Sequence, residues 1–147
     1  MPETIHMRCL CGAVRCEITP PTKGAAHCHC AYCRRAHGAA FVTWVIVPAE
    51  QFRIAAGREL LRWYDSSEQS RRAFCCTCGS SMLFESKLCP GEVHVARALI
   101  DGEVDQEPAF HCFVESRVSW ARLDDDLTEL SADSPVLAHY KKVRPAE

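Results

Sequence analysis

This 147-residue chain contains eleven cysteines, and their number and spacing limit the folds that it can adopt. Spacings of two or three residues, repeated along one chain, are typical of metal ligands. The odd total also disfavours a framework of disulfides. The sequence therefore predicts a fold held together by metal. Seven cysteines form the short motifs: Cys9 with Cys11, Cys28 with Cys30 and Cys33, and Cys75 with Cys78.

Length and composition are those of an ordinary soluble protein, with 48% hydrophobic and 24% charged residues. We expect one domain over residues 1–147, because the chain is large enough for one core and too small for two. A net charge of −2 gives no reason to expect nucleic acid or an anionic membrane as a partner. No apolar run approaches the roughly 20 residues that span a bilayer. The start, "MPETIHMRC", has no pattern of a secretory signal, and we expect a cytoplasmic location.

Short apolar segments predict a mainly β fold with few short helices. Val14, Cys16 and Ile18 alternate with polar residues, which is typical of a half-buried strand and places Cys16 in the core. Turn residues such as Gly57 and Pro90 separate the segments. Further strands are predicted at 41–47, 60–65, 71–75, 81–86 and 92–99.

Two helices are predicted, one at 31–37 and one that begins at Pro135 with Ser134 as its cap. The acidic run 123–127 is expected to be a solvated loop. We expect a core over about 5–127 and a C-terminal tail at 128–147, frayed in its last residues.

The two cysteine pairs predict one closed site. Each pair is followed directly by a glycine, Gly12 or Gly79. Zinc held by four thiolates places neighbouring sulfurs about 3.8 Å apart, so the backbone must turn around the metal. Glycine permits the positive φ that such a turn needs. Cys76, inside its turn, should point outward. We expect a structural zinc held by Cys9, Cys11, Cys75 and Cys78.

The triplet Cys28, Cys30 and Cys33 predicts a second zinc, with its fourth ligand unknown. His29 should point away from the metal that its two neighbours hold. An open fourth position distinguishes catalytic zinc from structural zinc, so the missing ligand is itself a functional prediction. Five residues are candidates for closing the site: His27 and His37 nearby, and Cys89, His111 and Cys112 farther along the chain.

Three thiolates give a zinc site a formal charge of −1. Such a site suits an incoming thiolate or a small carbonyl better than it suits the acidification of water. Arg34 and Arg35 follow Cys33 directly and could offset this charge or bind a substrate carboxylate. The alternative is that both arginines lie on a solvated helix surface.

Several segments together resemble the glutathione-dependent formaldehyde-activating (GFA) family, whose members include centromere protein V. The resemblance covers about residues 5–127. It implies a β-tent fold of the Mss type with two zincs: a structural zinc at the two cysteine pairs and a catalytic zinc at the triplet. The segments are "CLCGAVRCEI", "CHCAYCRRAHGAAF", "FCCTCGSSMLF", "VARALID" and "FVESRVSWARLDDDL".

The family reaction implied is the addition of glutathione to formaldehyde, which is formally a carbon–sulfur lyase reaction run in reverse. In this hypothesis the glutathione thiolate takes the open zinc position beside formaldehyde, and Arg34, Arg35 or Arg97 anchors the carboxylates of glutathione. Arg97 opens "RALID", where the family usually has G-T-L-D, and Cys16 stands where an aromatic residue is common. Two alternatives to an enzyme are a zinc-stapled module that binds a protein and a sensor that loses zinc on oxidation.

Overall fold

The computed structural model describes residues 3–140, and these form two β-sheets with one α-helix. The small sheet has the strand order β10-β1-β2-β5, and the large sheet has the order β12-β11-β3-β4-β9-β8-β7-β6. The mainly β prediction is confirmed. The strands are β1 (Ile5–Arg8), β2 (Arg15–Ile18), β3 (Gly24–Cys28), β4 (Val42–Pro48), β5 (Phe52–Ala56), β6 (Leu61–Asp65), β7 (Ser70–Cys75), β8 (Ser81–Ser86), β9 (Glu92–Ala96), β10 (Ile100–Asp101), β11 (Pro108–Cys112) and β12 (Thr128–Leu130).

The predicted strands lie at β2, β4, β6, β7, β8 and β9. The segment 92–99 is shorter than predicted, because β9 ends at Ala96 and Arg97–Leu99 forms a 3-10 turn. The other six strands were not predicted. They are short, and β3, with the sequence GAAHC, has no sustained alternation. It is held by neighbours far away in sequence, with β11 parallel on one side and β4 antiparallel on the other.

The predicted first helix is α1 (Ala31–His37). The second is a 3-10 helix, Pro135–Tyr140, and Ser134 accepts a hydrogen bond from the Val136 amide at its start. Residues 141–147, which include the end of this helix prediction and the predicted frayed end, lie outside the described part. β12 pairs with β11 and Leu137 is buried, so residues 128–140 pack onto the large sheet. Among the described residues, no helix is long and apolar enough to cross a membrane.

Strand β4 has buried residues on both faces, which explains why apolar residues fill all but one of the positions from 42 to 47. Val45 and Val47 pack with Met7 and Ile18 of the small sheet in the main core cluster. Trp44 points to the opposite face, where Val42 joins it in a second cluster that contains the three cysteines of the triplet. The large sheet therefore packs the main core cluster against one face and the cysteines of the triplet against the other.

We predict that Met82→Ala lowers the free energy of unfolding by about 2–5 kcal/mol, because Met82 is fully buried in the main core cluster and its truncation leaves a cavity. Val136→Ala, at an exposed apolar residue, is the control and should change stability by less than about 0.5 kcal/mol. Urea unfolding at constant metal content measures both. Equal losses in the two variants would contradict this assignment of the core.

Candidate metal centres

Two tight turns bring the first four cysteines together. In the turn after β1, the Gly12 amide donates to the Cys9 carbonyl at 3.0 Å, and in the turn after β7 the Gly79 amide donates to the Cys75 carbonyl at 2.7 Å. Both glycines have φ of 78°, in the left-handed region. A residue with a Cβ is strained there. The predicted role of these two glycines is confirmed.

The four sulfurs of this group lie within 4.8 Å of one another. Cys9 Sγ is 3.5 Å from Cys11 Sγ, and Cys11 Sγ is 3.9 Å from Cys75 Sγ. These distances match the spacing of about 3.8 Å that tetrahedral zinc imposes on its sulfur ligands. The group could therefore hold a metal ion, with Cys78 as the fourth ligand. Cys76, inside the second turn, is exposed, as predicted.

Ser80 links the two turns, a role that was not predicted from the sequence. Its hydroxyl oxygen accepts from the Leu10 amide at 3.0 Å and lies 3.2 Å from Cys78 Sγ. The hydrogen bond from this hydroxyl, with backbone amides, lowers the pKa of Cys78 to about 5. Cys9 Sγ accepts a further hydrogen bond from the Val14 amide at 3.3 Å. These donors favour thiolates, which are the form that binds metal.

The triplet lies at the junction of β3 and α1. Cys28 ends the strand, Cys30 caps the helix by accepting from the Cys33 amide, and all three side chains are buried. The three sulfurs lie within 4.8 Å of one another. Hydrogen bonds with the two neighbouring thiols, and then burial, raise the pKa of Cys28 well above its usual value. Three thiols this close ionise together only around a cation.

Arg72 provides independent support for an anionic centre here. It is 3% exposed, and its Nη2 donates to Cys33 Sγ at 3.6 Å. Its guanidinium carbon lies 5.0 Å from the centre of the Phe84 ring. Within residues 3–140, its Nε and Nη1 have no hydrogen-bond partner. Arginine stays charged when buried and needs a compensating anion, and three thiolates around a divalent ion provide a charge of −1. The residues present therefore fit a metal–thiolate centre.

Trp44 and Arg72 both contact Cys33, and neither was identified from the sequence. Trp44 Nε1 donates to Cys33 Sγ at 3.4 Å. The sequence did indicate that one arginine of this pair faces inward, because Arg71 and Arg72 are adjacent in a predicted strand and must point to opposite faces. Arg71 faces solvent and pairs with Glu85 at 2.6 Å, so Arg72 is the arginine that faces inward.

The five candidates for the fourth ligand all lie outside the triplet group in the described part of the chain. His37 packs edge-on against Trp44, with ring centres 5.2 Å apart. Cys112 pairs in register with Cys28 on the neighbouring strand. The remaining candidates belong to two other groups that could hold a metal: Cys89 with Glu92 and His94, and His27 and His111 with Asp125.

His29 faces away from the triplet, as predicted. Its Nε2 lies 2.9 Å from His111 Nδ1, and its ring packs against Phe41. Burial, followed by the charge of His111, lowers the pKa of His29 to about 4. The predicted acidic loop also makes an internal contact, because Asp125 accepts a hydrogen bond from His111 at 3.0 Å.

A small cavity of about 60 Å³ adjoins Cys28 and Cys33. A cavity needs at least about 10–15 Å³ of such accessible volume to hold one water, so this cavity suits a molecule of very few atoms. Its walls are mainly apolar and aromatic, and the C-terminal 3-10 helix covers part of it. The other lining residues are Ala26, Trp44, Ile46, Phe84, His94, Cys112, Phe113, Leu137 and Tyr140.

The three predicted substrate-binding arginines differ in their surroundings. Arg34 is partly buried, and its Nε has no hydrogen-bond partner among residues 3–140. Arg35 is exposed on α1. Arg97 donates to the Gly102 carbonyl at 3.1 Å, which holds it at the turn after β10. Of the three arginines, Arg34 is therefore the best placed to donate a hydrogen bond to a substrate carboxylate, because it lies one residue from Cys33 and its Nε has no partner among residues 3–140.

We predict that the two cysteine groups respond differently to the loss of one ligand. Cys75→Ala should abolish cooperative folding, because Cys75 joins turns that are 64 residues apart, whereas Cys30→Ala should leave a folded protein that lacks one metal ion. Cys76→Ala, in the same turn as Cys75, is the matched control and should change neither property. Metal analysis and circular dichroism measure the outcome. Equal loss of folding in Cys75→Ala and Cys30→Ala would contradict the division into two sites.

We also predict that Arg72→Met weakens metal binding at the triplet at least tenfold. A hydrogen bond to a charged group contributes about 1.5–3 kcal/mol, and each 1.4 kcal/mol is a factor of ten in affinity. Arg71→Met removes the same charge from the exposed face of the same strand and should leave the affinity unchanged. Competition with a chromogenic chelator gives both constants, and equal effects would show that Arg72 does not compensate the thiolates.

Comparisons with known proteins agree with this geometry. The family model described as "Glutathione-dependent formaldehyde-activating enzyme" matches residues 4–116. A crystal structure of a Rhodobacter sphaeroides protein, a structural genomics target, is 28% identical with a TM-score of 0.55, and the match covers 68% of this chain and 91% of that chain. No curated protein matches the sequence. The chain belongs to the glutathione-dependent formaldehyde-activating family.

Proposed function

We propose that this chain is a zinc-dependent enzyme of the carbon–sulfur lyase type that joins glutathione, or a similar thiol, to formaldehyde. The observation that carries the proposal is the buried triplet of thiols beside a cavity of molecular size. In residues 3–140 no other protein ligand lies within the triplet group. Family membership supports the same reaction class.

Two zinc ions per chain are part of the proposal. Cys9, Cys11, Cys75 and Cys78 would hold a structural zinc, and the triplet would hold the second. A zinc bound by three thiolates supplies a Lewis acid that stabilises a thiolate and polarises a carbonyl. Arg72 and Trp44 hold Cys33 from the side of the sheet, which fixes one ligand in place and offsets the negative charge of the triplet.

The cavity favours a very small electrophile. At about 60 Å³ it has room for formaldehyde and excludes the body of a tripeptide such as glutathione. Only the thiol end of glutathione would enter, and the rest would lie outside. The apolar walls, with Phe84 and Phe113 among them, favour the free aldehyde over its hydrate. Holding thiol and aldehyde side by side lowers the barrier through proximity.

One proton must pass from the thiol to the carbonyl oxygen for the addition to be complete. His94 lines the cavity, and its Nε2 lies 3.0 Å from Glu92 Oε1. The hydrogen bond from His94, followed by that from Lys23, lowers the pKa of Glu92 to about 2, so this carboxylate stays charged. We assign His94 as the residue that moves the proton, with Glu92 fixing its ring.

Arginine side chains would bind the carboxylates of the thiol substrate. Arg34 is the strongest of the three candidates, because it is partly buried, lies next to Cys33 and has an Nε without a hydrogen-bond partner among residues 3–140. Arg35 would act from the exposed surface of the helix. Arg97 would need to leave the Gly102 carbonyl.

The two alternatives have less support. A module that only binds a protein would be favoured by a fourth ligand that closes the triplet, and none lies in the group among the described residues. For a sensor that loses zinc on oxidation, the clustered thiols are the one supporting observation among the described residues, whereas family membership also supports an enzyme.

We predict that the protein speeds the approach to equilibrium between glutathione, formaldehyde and S-(hydroxymethyl)glutathione at least tenfold over buffer. The comparison with buffer is essential, because this addition also proceeds without a catalyst. Cys30→Ala should fall to the rate in buffer, and Cys76→Ala should keep the rate of the unmodified protein. Magnetization-exchange NMR measures the rates.

A fully zinc-loaded protein that gives only the rate in buffer would contradict the proposal for these substrates. Binding of glutathione without any rate increase would identify the site as a thiol-binding site without this activity.

A further inference from the structure

The run His27-Cys28-His29-Cys30 places a second group of polar residues on the opposite side of β3 from the triplet. Successive residues of a strand point to opposite faces. Cys28 lines the small cavity, whereas His27 is paired in register with Thr43 on β4 and with His111 on β11. The large sheet thus carries a histidine cluster on the face away from the thiols.

The cluster has the geometry of a metal-binding group. One ligand atom from each of His27, His111 and Asp125 lies within 4.8 Å of the other two. The two imidazole rings are stacked with centres 4.9 Å apart, and His111 Nε2 lies 3.0 Å from both carboxylate oxygens of Asp125. Two imidazoles and one carboxylate form a ligand set that zinc and ferrous iron use with open positions.

The other nitrogen of each ring is already held. His27 Nδ1 lies 2.7 Å from Thr43 Oγ1, and His111 Nδ1 lies 2.9 Å from His29 Nε2. In metal sites the ring nitrogen that does not bind the ion is usually held by a polar partner, which fixes the orientation of the ring. His111 Nε2 faces Asp125, so an ion held between them would replace the proton of that hydrogen bond.

A second observation also points to a ligand in this cluster. His29 is 6% exposed, and within residues 3–140 its Nδ1 has no hydrogen-bond partner. A buried polar atom without a protein partner is rare, and a bound water or ion is one of its recognised explanations. His29 and His111 line a cavity of about 760 Å³, whose other wall is formed by residues 114–129. External ligands could therefore reach an ion held in the cluster.

From this geometry we propose a third metal site, formed by His27, His111 and Asp125, that binds one divalent first-row transition metal without sulfur ligands. Its open positions face the large cavity and take water or an oxygen ligand. The site shares β3 with the triplet and lies on the opposite face. It does not depend on the proposed thiol chemistry and stands if that activity is absent.

The test is titration of Co²⁺ into the full chain, with zinc already held at its thiolate sites, under argon. We expect one further equivalent of Co²⁺ with weak visible bands and without the intense near-ultraviolet bands of sulfur-to-cobalt charge transfer. Asp125→Ala and His27→Gln should each weaken this binding at least tenfold. Asp124→Ala removes the same charge from the same exposed loop and should leave the Kd unchanged.

The proposal would be overturned if no further equivalent of Co²⁺ bound. It would also be overturned if all the bound Co²⁺ showed sulfur charge-transfer bands. An equal weakening in Asp124→Ala and Asp125→Ala would also overturn it, because it would indicate general attraction to the acidic loop. Circular dichroism establishes that each variant is folded. If His27→Gln is unfolded, the comparison of Asp124→Ala with Asp125→Ala still tests the proposal. Both of these residues are exposed, so we expect both variants to fold.

Discussion

Thiolates that are packed at van der Waals distance repel one another unless a cation lies between them, and the fold is arranged around two such groups. The first group joins the end of β1 to the turn after β7, across 64 residues of sequence. β1 belongs to the small sheet and β7 to the large one, so the proposed structural zinc would link the two sheets. Around it, Gly12 and Gly79 supply the turns and Ser80 joins them. A metal in this position contributes directly to the free energy of folding.

The second group has a different relation to the fold. Its three cysteines lie within six residues of one another, and Trp44 and Arg72 hold Cys33 from elements that the main core already fixes. We therefore expect the sheets to form without this centre, as the prediction for Cys30→Ala states. Arg72 is buried, and two of its donors have no partner within residues 3–140, which costs stability that its contact with an anionic centre offsets. Such local cost is common where structure serves function.

Local features were predictable from the sequence, and contacts between distant elements were not. The cysteine spacings, the glycines after each pair, the capped turn at α1 and the alternation around Cys16 are all set within a few residues. The neighbours of β3 in the large sheet could not be predicted, because one of them, β11, lies more than 80 positions away in the sequence. Arg72, Ser80 and Asp125 each act through a partner on another element, so their roles emerge only when the sheets are assembled. The candidates for the fourth ligand show the same limit. Spacing in the sequence could not show whether Cys112 or His111 lies in the same ligand group as Cys28.

The central claim is that one thiolate centre holds the fold and the other is available for reaction. Its most direct test is a chelator titration of protein washed of weakly bound metal, with zinc release and circular dichroism recorded on the same sample. We expect two thiolate-held zinc ions per chain, one released while the β structure persists and the other released together with unfolding. Release of both ions in a single step that coincides with unfolding would contradict it.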